Sequence, residues 1–291
     1  MRFARLGPAG NEIPVAIDTD DEVLDLRSIT SDINGPFLAS DPGPVELVRH
    51  ARAAGDLPVL PRADADALRR GAPVARPGKV VCIGLNYRDH AAETGADIPT
   101  EPIVFMKDPM TVIGPDDQVL VPRGSTKTDW EIELAIVIGT TARYCDSAEE
   151  AATHIAGYAI ANDVSEREFQ LERGGTWDKG KSCETFNPLG PWLVTPASLD
   201  AAGVDPAALA LRLAVNGEVR QDGTTADMIF GPAEIVRYLS RFMVLYPGDV
   251  ISTGTPAGVA LGSGAPYLQA GDVVELTADG LGSQRQTIGA A

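Results

Sequence analysis

Short apolar runs, broken repeatedly by glycine and proline, recur along this chain, and most alternate with a period of two. Such alternation marks strands, because successive side chains of an extended backbone point to opposite faces. Strands are expected at residues 14–18 and 23–26, followed by a helix over 44–54 and a loop rich in Pro, Asp and Arg. Residues 74–79 (VARPGK) read as a linker, after which KVVCIGLNY opens a buried strand. Further strands are expected at 103–106, 118–121, 131–138, 158–162, 190–194, 211–215, 249–253 and 273–277. Asn216-Gly217 supplies a hairpin turn after the sixth of these. Helices are few. Ser147 with Glu150, and Ser165 with Glu168, have capping-box spacing. Residues 232–243 place Ile235, Leu239, Phe242 and Met243 along one stripe. The expected fold is α+β and predominantly β, with a small N-terminal α/β domain (1–72) and a main domain (73–291).

Composition narrows the function. With 291 residues the chain can bury a sizeable core, and 44% hydrophobic with 22% charged residues is ordinary for a globular protein. Twenty-four basic against 41 acidic residues give a net charge of −17. That balance argues against nucleic acid and anionic membrane as partners, since phosphate binding needs a positive surface. No apolar stretch is long enough to span a bilayer, and the first residues lack the apolar centre of a signal peptide. Three scattered cysteines, Cys82, Cys145 and Cys183, form no CxxC pair and fit a reducing cytoplasm.

The strongest chemical signal is DWEIELAIVIG. Glu131, Glu133, Ala135 and Val137 share one strand face, and Ile132, Leu134, Ile136 and Ile138 share the other. The second face is core, and the first continues as Ala and Val, so two carboxylates sit on a strand that reads as buried on both sides. Buried like charges are costly unless compensated, and hard oxygens suit Mg²⁺, Mn²⁺ or Ca²⁺. The plainer alternative is an edge strand with solvated glutamates. In ANDVSEREFQ an apolar strand ends at Asp163, where a carboxylate can join such a site or merely begin a turn. Arg167 and Gln170, three apart on the helix that follows, share a face and could grip a carboxylate or simply meet a surface acid.

In GLNYRDHAAETG, His90 and Glu93 are also three apart, so Glu93 could orient His90 as a general base, or both could be solvated. Residues 175–182, GTWDKGKS, match the phosphate-loop pattern letter for letter. A polar helix precedes them and Pro188 and Pro191 follow, so the strand and helix that phosphate binding requires are missing. Lys181 remains as a cation in a glycine-rich loop.

In this order the segments GLNYRDHAAE, FMK, DWEIELAIVIG, ANDVSER, GKSCETFNPLGP and STGTPAGV resemble the fumarylacetoacetate hydrolase family, from about residue 79 to the C-terminus. The resemblance implies a mixed β-sandwich roll and a homodimer. It implies Glu131, Glu133 and Asp163 as ligands of Mg²⁺ or Mn²⁺, and His90 with Glu93 as a catalytic dyad on a short closing helix. It also implies Lys181 as the cation that polarises a substrate oxygen, and Arg167, Gln170 and Thr255 as substrate-binding residues. Hydrolysis of a 2,4-diketo acid to pyruvate and a second acid is the expected reaction. A 2,4-diketo-3-deoxy sugar acid of the fuconate or rhamnonate type, or another acylpyruvate, is the expected substrate. Alternatives that use the same cation are oxaloacetate decarboxylation and keto–enol isomerisation of a 2-hydroxymuconate-type diacid. A non-enzymatic alternative is a metal-stabilised binding module.

Overall fold

A computed structural model describes residues 1–18 and 21–291. Its main sheet has twelve strands. Ten follow in the order Val59–Leu60, Val23–Asp25, Ile13–Ile17, Arg2–Leu6, Asn187–Val194, Ile155–Asn162, Ile132–Ile138, Val250–Ser252, Val80–Gly84 and Ile103–Lys107. A second sheet contains Glu218–Thr224, Ala210–Val215, Val273–Ala278, Gly282–Ala290 and Val119–Val121. The predominantly β, α+β character read from the alternation is therefore the observed one.

The Ile132–Ile138 strand explains how the layers form. Ile132, Leu134, Ile136 and Ile138 pack with Leu211, Leu213, Leu276 and Ile288 of the second sheet. Ala135 and Val137, from the opposite face, pack with Phe3, Leu24, Leu193 and Val250. Each face is covered by its own apolar layer, so the strand is buried at every position. The leading residues take part in this construction. Arg2–Leu6 pairs antiparallel with Asn187–Val194, setting Phe3 beside Leu193. Val74 and Ala75, read as linker, are buried, and the Ala75 amide donates to the Ile33 carbonyl at 2.7 Å.

Local expectations fared unevenly. Asn216 and Gly217 both adopt positive φ (52° and 80°), and join Ala210–Val215 to Glu218–Thr224 as a tight hairpin. The Ser147 hydroxyl caps the helix Ala148–Thr153 by accepting from the Glu150 amide at 3.1 Å. The second capping box does not form. Ser165 lies in a short strand and donates to the Asp163 carbonyl, while the Glu166 carboxylate caps Arg167–Leu171 instead. The amphipathic helix is Pro232–Leu239, shorter than expected. The chain turns at Ser240, whose hydroxyl donates to the Arg237 carbonyl, so Phe242 leaves the stripe and is 66% exposed. In the Gly175–Ser182 segment a single helical turn, Asp178–Lys181, follows helix Arg167–Leu171 and is followed by strand Asn187–Val194. The strand–loop–helix order of a phosphate loop is absent.

Candidate active site

Three carboxylates converge because the start of one strand lies beside the end of its antiparallel neighbour. Glu131 and Glu133 lie at the start of Ile132–Ile138, and Asp163 follows the last residue of Ile155–Asn162. Ile132 pairs with Asn162 and Glu133 with Ala161. The Asn162 side chain accepts from the Glu131 amide at 3.1 Å, and the Asp163 amide donates to the Glu131 carbonyl at 2.9 Å. One carboxylate oxygen from each of Glu131, Glu133 and Asp163 then lies within 4.8 Å of the others, and all three residues are buried.

Two lysines enter the same space. Lys181 Nζ donates to Glu131 Oε2 at 2.6 Å and to Asp163 Oδ2 at 2.8 Å. Lys107, last residue of Ile103–Lys107, pairs with the other Asp163 oxygen and donates to the Val164 carbonyl at 3.0 Å. Lys181 is positioned by close helix packing. A Cβ on Gly180 would fall 2.4 Å from the Gln170 amide nitrogen and 2.5 Å from the Glu166 carbonyl oxygen. Only glycine allows that turn to sit against Arg167–Leu171.

Arg167 and Gln170 do share a face, as their spacing predicts, and Arg167 Nη1 donates to Gln170 Oε1 at 3.1 Å. Arg167 Nε also donates to Asp129 Oδ2 at 2.8 Å, and Nη2 lies 2.7 Å from Glu131 Oε1. The fork expected to grip a substrate carboxylate is thus partly engaged by Asp129, Glu131 and Gln170. Asp129 is itself fixed by the amides of Trp130, Ala260 and Leu261 at 2.8, 2.8 and 3.0 Å. Thr255 lines the pocket, but its hydroxyl donates to the Ile132 carbonyl and accepts from Gln221 Nε2, each at 2.8 Å. Its hydrogen is therefore committed to the scaffold.

His90 lies on the helix Arg88–Thr94, and its Nδ1 is 3.1 Å from Glu93 Oε2. The other Glu93 oxygen accepts from the Gly258 amide at 3.0 Å, and Asp89 accepts from the Ala257 amide at 3.2 Å. Glu93 and the neighbouring Asp89 hold the helix against residues 257–258, and His90 faces the pocket with Nε2 uncommitted.

Several of these groups line a cavity of about 200 Å³. Its polar lining includes His90, Glu131, Glu133, Arg167, Gln170 and Lys181, and its apolar lining Leu85, Phe105, Leu171, Trp177 and Leu261. Phe105 and Trp177 meet edge-on at 5.3 Å. Sequence reasoning assigned no role to Lys107, Asp129, Phe105 or Trp177. A lysine closing an apolar strand, as in IVFMK, was the available signal for the first.

The electrostatics are unequal across the cage. Burial pushes the Glu131 carboxyl up, but Lys181 and then Arg167 outweigh it and hold the pKa at about 2. Burial, with Asp163 and Glu131 as like charges, pushes Glu133 well above the usual carboxylate range, and only Lys181 and the Gly254 amide oppose it. Burial pulls the Lys181 ammonium down, but Asp163 and Glu131 more than reverse that and keep it charged. The three cations balance Glu131, Asp163 and Asp129. Glu133 is left without a counter-charge, and one further cation among three oxygen ligands fits that deficit.

The fold and this carboxylate-lined site define a member of the fumarylacetoacetate (FAA) hydrolase family, to which the chain belongs: the family's C-terminal region matches residues 79–289. It is 46% identical over 290 residues to the 2,4-didehydro-3-deoxy-L-rhamnonate hydrolase of Sphingomonas sp. (strain SKA58), covering 99% of this chain and 96% of that one. A 5-carboxymethyl-2-hydroxymuconate delta-isomerase from Mycobacterium smegmatis superposes with a TM-score of 0.77 at 33% identity, covering 100% of this chain and 99% of that one. The maleylpyruvate hydrolase of Sphingobium sp. SYK-6, in complex with manganese(II) and pyruvate, gives 0.78 at 27% identity, with both chains fully covered. The protein is thus a family member of the hydrolase or isomerase kind. Among the described residues no helix is long and apolar enough to cross a membrane.

Proposed function

We propose that this chain is a divalent-cation-dependent hydrolase that cleaves 2,4-diketo acids, releasing pyruvate and a second acid. The observation that carries the reading is that His90, oriented by Glu93, shares one cavity with Lys181, Glu131 and Glu133, and that Asp163 joins the two glutamates in one buried cluster. Glu131, Glu133 and Asp163 would hold Mg²⁺ or Mn²⁺, which when bound supplies Lewis-acid polarisation of the substrate's carbonyl oxygens.

The chain's own groups perform the remaining steps. Glu93 accepts the Nδ1 hydrogen of His90, which leaves Nε2 to take a proton from water. The resulting hydroxide adds to the 4-carbonyl, and a Lys181 N–H stabilises the oxyanion. The C3–C4 bond then breaks with its electron pair passing to C3, which is protonated to give pyruvate, while C4 leaves as a carboxylic acid. Arg167, with Gln170, orients substrate oxygens.

The apolar wall of Phe105, Trp177 and Leu171 supports a substrate whose tail beyond C4 is short and ends in a methyl group. A 6-deoxy sugar acid derivative of the rhamnonate or fuconate type has that shape, and the rhamnonate-acting relative agrees with it. Isomerisation is the second reading, favoured by the isomerase neighbour. It needs no activated water, so the dyad favours hydrolysis. Running the reaction in ¹⁸O-water tests the difference. Hydrolysis places the label in the carboxyl group of the acid derived from C4. A rearranged, unlabelled product with no pyruvate would establish isomerisation instead.

A further inference from the structure

We propose that Cys145, Glu150 and His154 form a second metal site, suited to a borderline ion such as Zn²⁺ and separate from the acidic cage. One ligand atom from each of the three residues lies within 4.8 Å of the others. The sequence explains how they meet. Glu150 lies on the helix Ala148–Thr153 and His154 is its C-terminal cap, four residues on, so both lie on one helical face. Cys145 arrives from the turn that precedes the Ser147 cap.

Each ligand is held by a second group that leaves a donor atom available. His154 Nδ1 lies 2.8 Å from the Thr140 hydroxyl, which leaves Nε2 for a metal. Glu150 Oε2 accepts from the Asp146 amide at 2.8 Å, which leaves Oε1. The Cys145 amide donates to the Ser240 hydroxyl at 3.0 Å, and the Tyr144 amide donates to the Ser240 carbonyl at 2.8 Å, fixing the backbone that carries the thiol. Partners of this kind set the tautomer and direction of metal ligands. The thiol is buried, His154 half-buried and Glu150 exposed, so an ion would enter from solvent and settle over the sulfur.

The donor set chooses the ion. Thiolate, imidazole and one carboxylate, with water in the fourth position, match tetrahedral Zn²⁺, whose ligand bonds of ~2.0–2.3 Å put donors about 3.5 Å apart. Rotation of the exposed Glu150 side chain closes the remaining gap. The three-oxygen cage suits Mg²⁺ or Mn²⁺ instead, so the two sites sort metals by softness. Their positions differ as well. Glu131 and Glu133 flank the first residue of the strand Ile132–Ile138, whereas the Gly139 amide just beyond its other end donates to the His154 carbonyl at 2.7 Å. An ion here ties that strand end to the Ala148–Thr153 helix, a structural role that leaves the active-site groups untouched.

Cobalt(II) added to the chelator-stripped, full-length protein in excess Mg²⁺ is the probe. A thiolate-to-cobalt charge-transfer band and tetrahedral visible bands are expected at one equivalent, with Zn²⁺ displacing the cobalt. Cys145→Ser should abolish the charge-transfer band and Cys183→Ser should keep it. His154→Ala and Glu150→Ala, both away from the core, should weaken cobalt binding, His154→Ala by about a hundredfold; Thr140→Val should weaken it about tenfold. Zn²⁺ at a hundred times its Kd should raise the Tm by about 4 °C in the wild type and not in His154→Ala. No charge-transfer band in the wild type, a band that survives Cys145→Ser, or affinity unchanged in both His154→Ala and Glu150→Ala would overturn the proposal and leave Cys145 a buried core thiol.

Discussion

Lys181 Nζ sits 2.6 Å from Glu131 Oε2, placing the site's central cation on one of the carboxylates that would hold the metal. The same ammonium also bonds Asp163, so it neutralises two members of the cage at once. A divalent cation must compete with it for those oxygens. Lys181→Met should therefore bind Mn²⁺ more tightly while kcat falls by about 10²–10³, the usual cost of one oxyanion donor. Calorimetric Mn²⁺ titration beside steady-state kinetics checks both halves. Weaker Mn²⁺ binding in the variant would contradict the competition.

In the proposed reaction the dyad activates water, so it should separate hydrolysis from reactions that need none. His90→Ala should lower diketo-acid hydrolysis by about 10²–10⁴, while any oxaloacetate decarboxylation persists at close to its wild-type rate. Parallel assays on the two substrates measure it, and equal loss of both would sink this division of labour.

Asp129 holds Arg167 and three backbone amides with no exposure to solvent. Asp129→Ala leaves the buried Arg167 guanidinium to Glu131 and Gln170 alone and frees the first two amides of the helix Ala260–Ser263. A loss of about 3–5 kcal/mol is expected by urea unfolding, as for other broken buried pairs, with a higher KM. A wild-type unfolding midpoint would show that Glu131 and Gln170 suffice to hold Arg167.

Acid should weaken the protein through Glu131 and strengthen the competition for metal at Glu133. Glu131 is held at about 2 in the fold against 4.5 as its ordinary value. Its stabilising contribution is complete above the ordinary value and is lost as pH falls towards 2. Glu133 shifts the other way, so its proton competes with a cation at pH values where an ordinary carboxylate is already ionised. Mg²⁺ affinity should rise with pH across that range, and binding should release protons, measurable by titration in buffers of different ionisation enthalpy. Affinity that is flat with pH in Glu133→Gln but not in the wild type would locate the effect.

What could be read in advance depended on how local the signal was. The two faces of Ile132–Ile138 were legible because alternation alone separates the Ile/Leu layer from the Glu/Ala/Val layer. The His90–Glu93 and Arg167–Gln170 contacts were legible because each pair is one helical turn apart. Partners distant in the chain were not. Nothing near Lys107 in sequence announces Asp163, which lies 56 residues away, and Asp129 resembles an ordinary turn residue until the start of the helix Ala260–Ser263 folds onto it. Ser165 looked like a cap because its spacing to Glu168 fits, yet Glu166, one residue nearer the helix, offers a longer side chain to the same amides. Trp177 was hidden inside a segment whose letters spell a phosphate loop.

The most direct measurement is pyruvate release from a 2,4-diketo-3-deoxy-rhamnonate-type acid by the chelator-stripped protein, before and after Mg²⁺ or Mn²⁺ is added. Pyruvate that appears only with the cation, and is lost in Glu133→Gln, is the expected result. Equal release with and without the cation, or none in either case, would contradict a metal-dependent diketo-acid hydrolase.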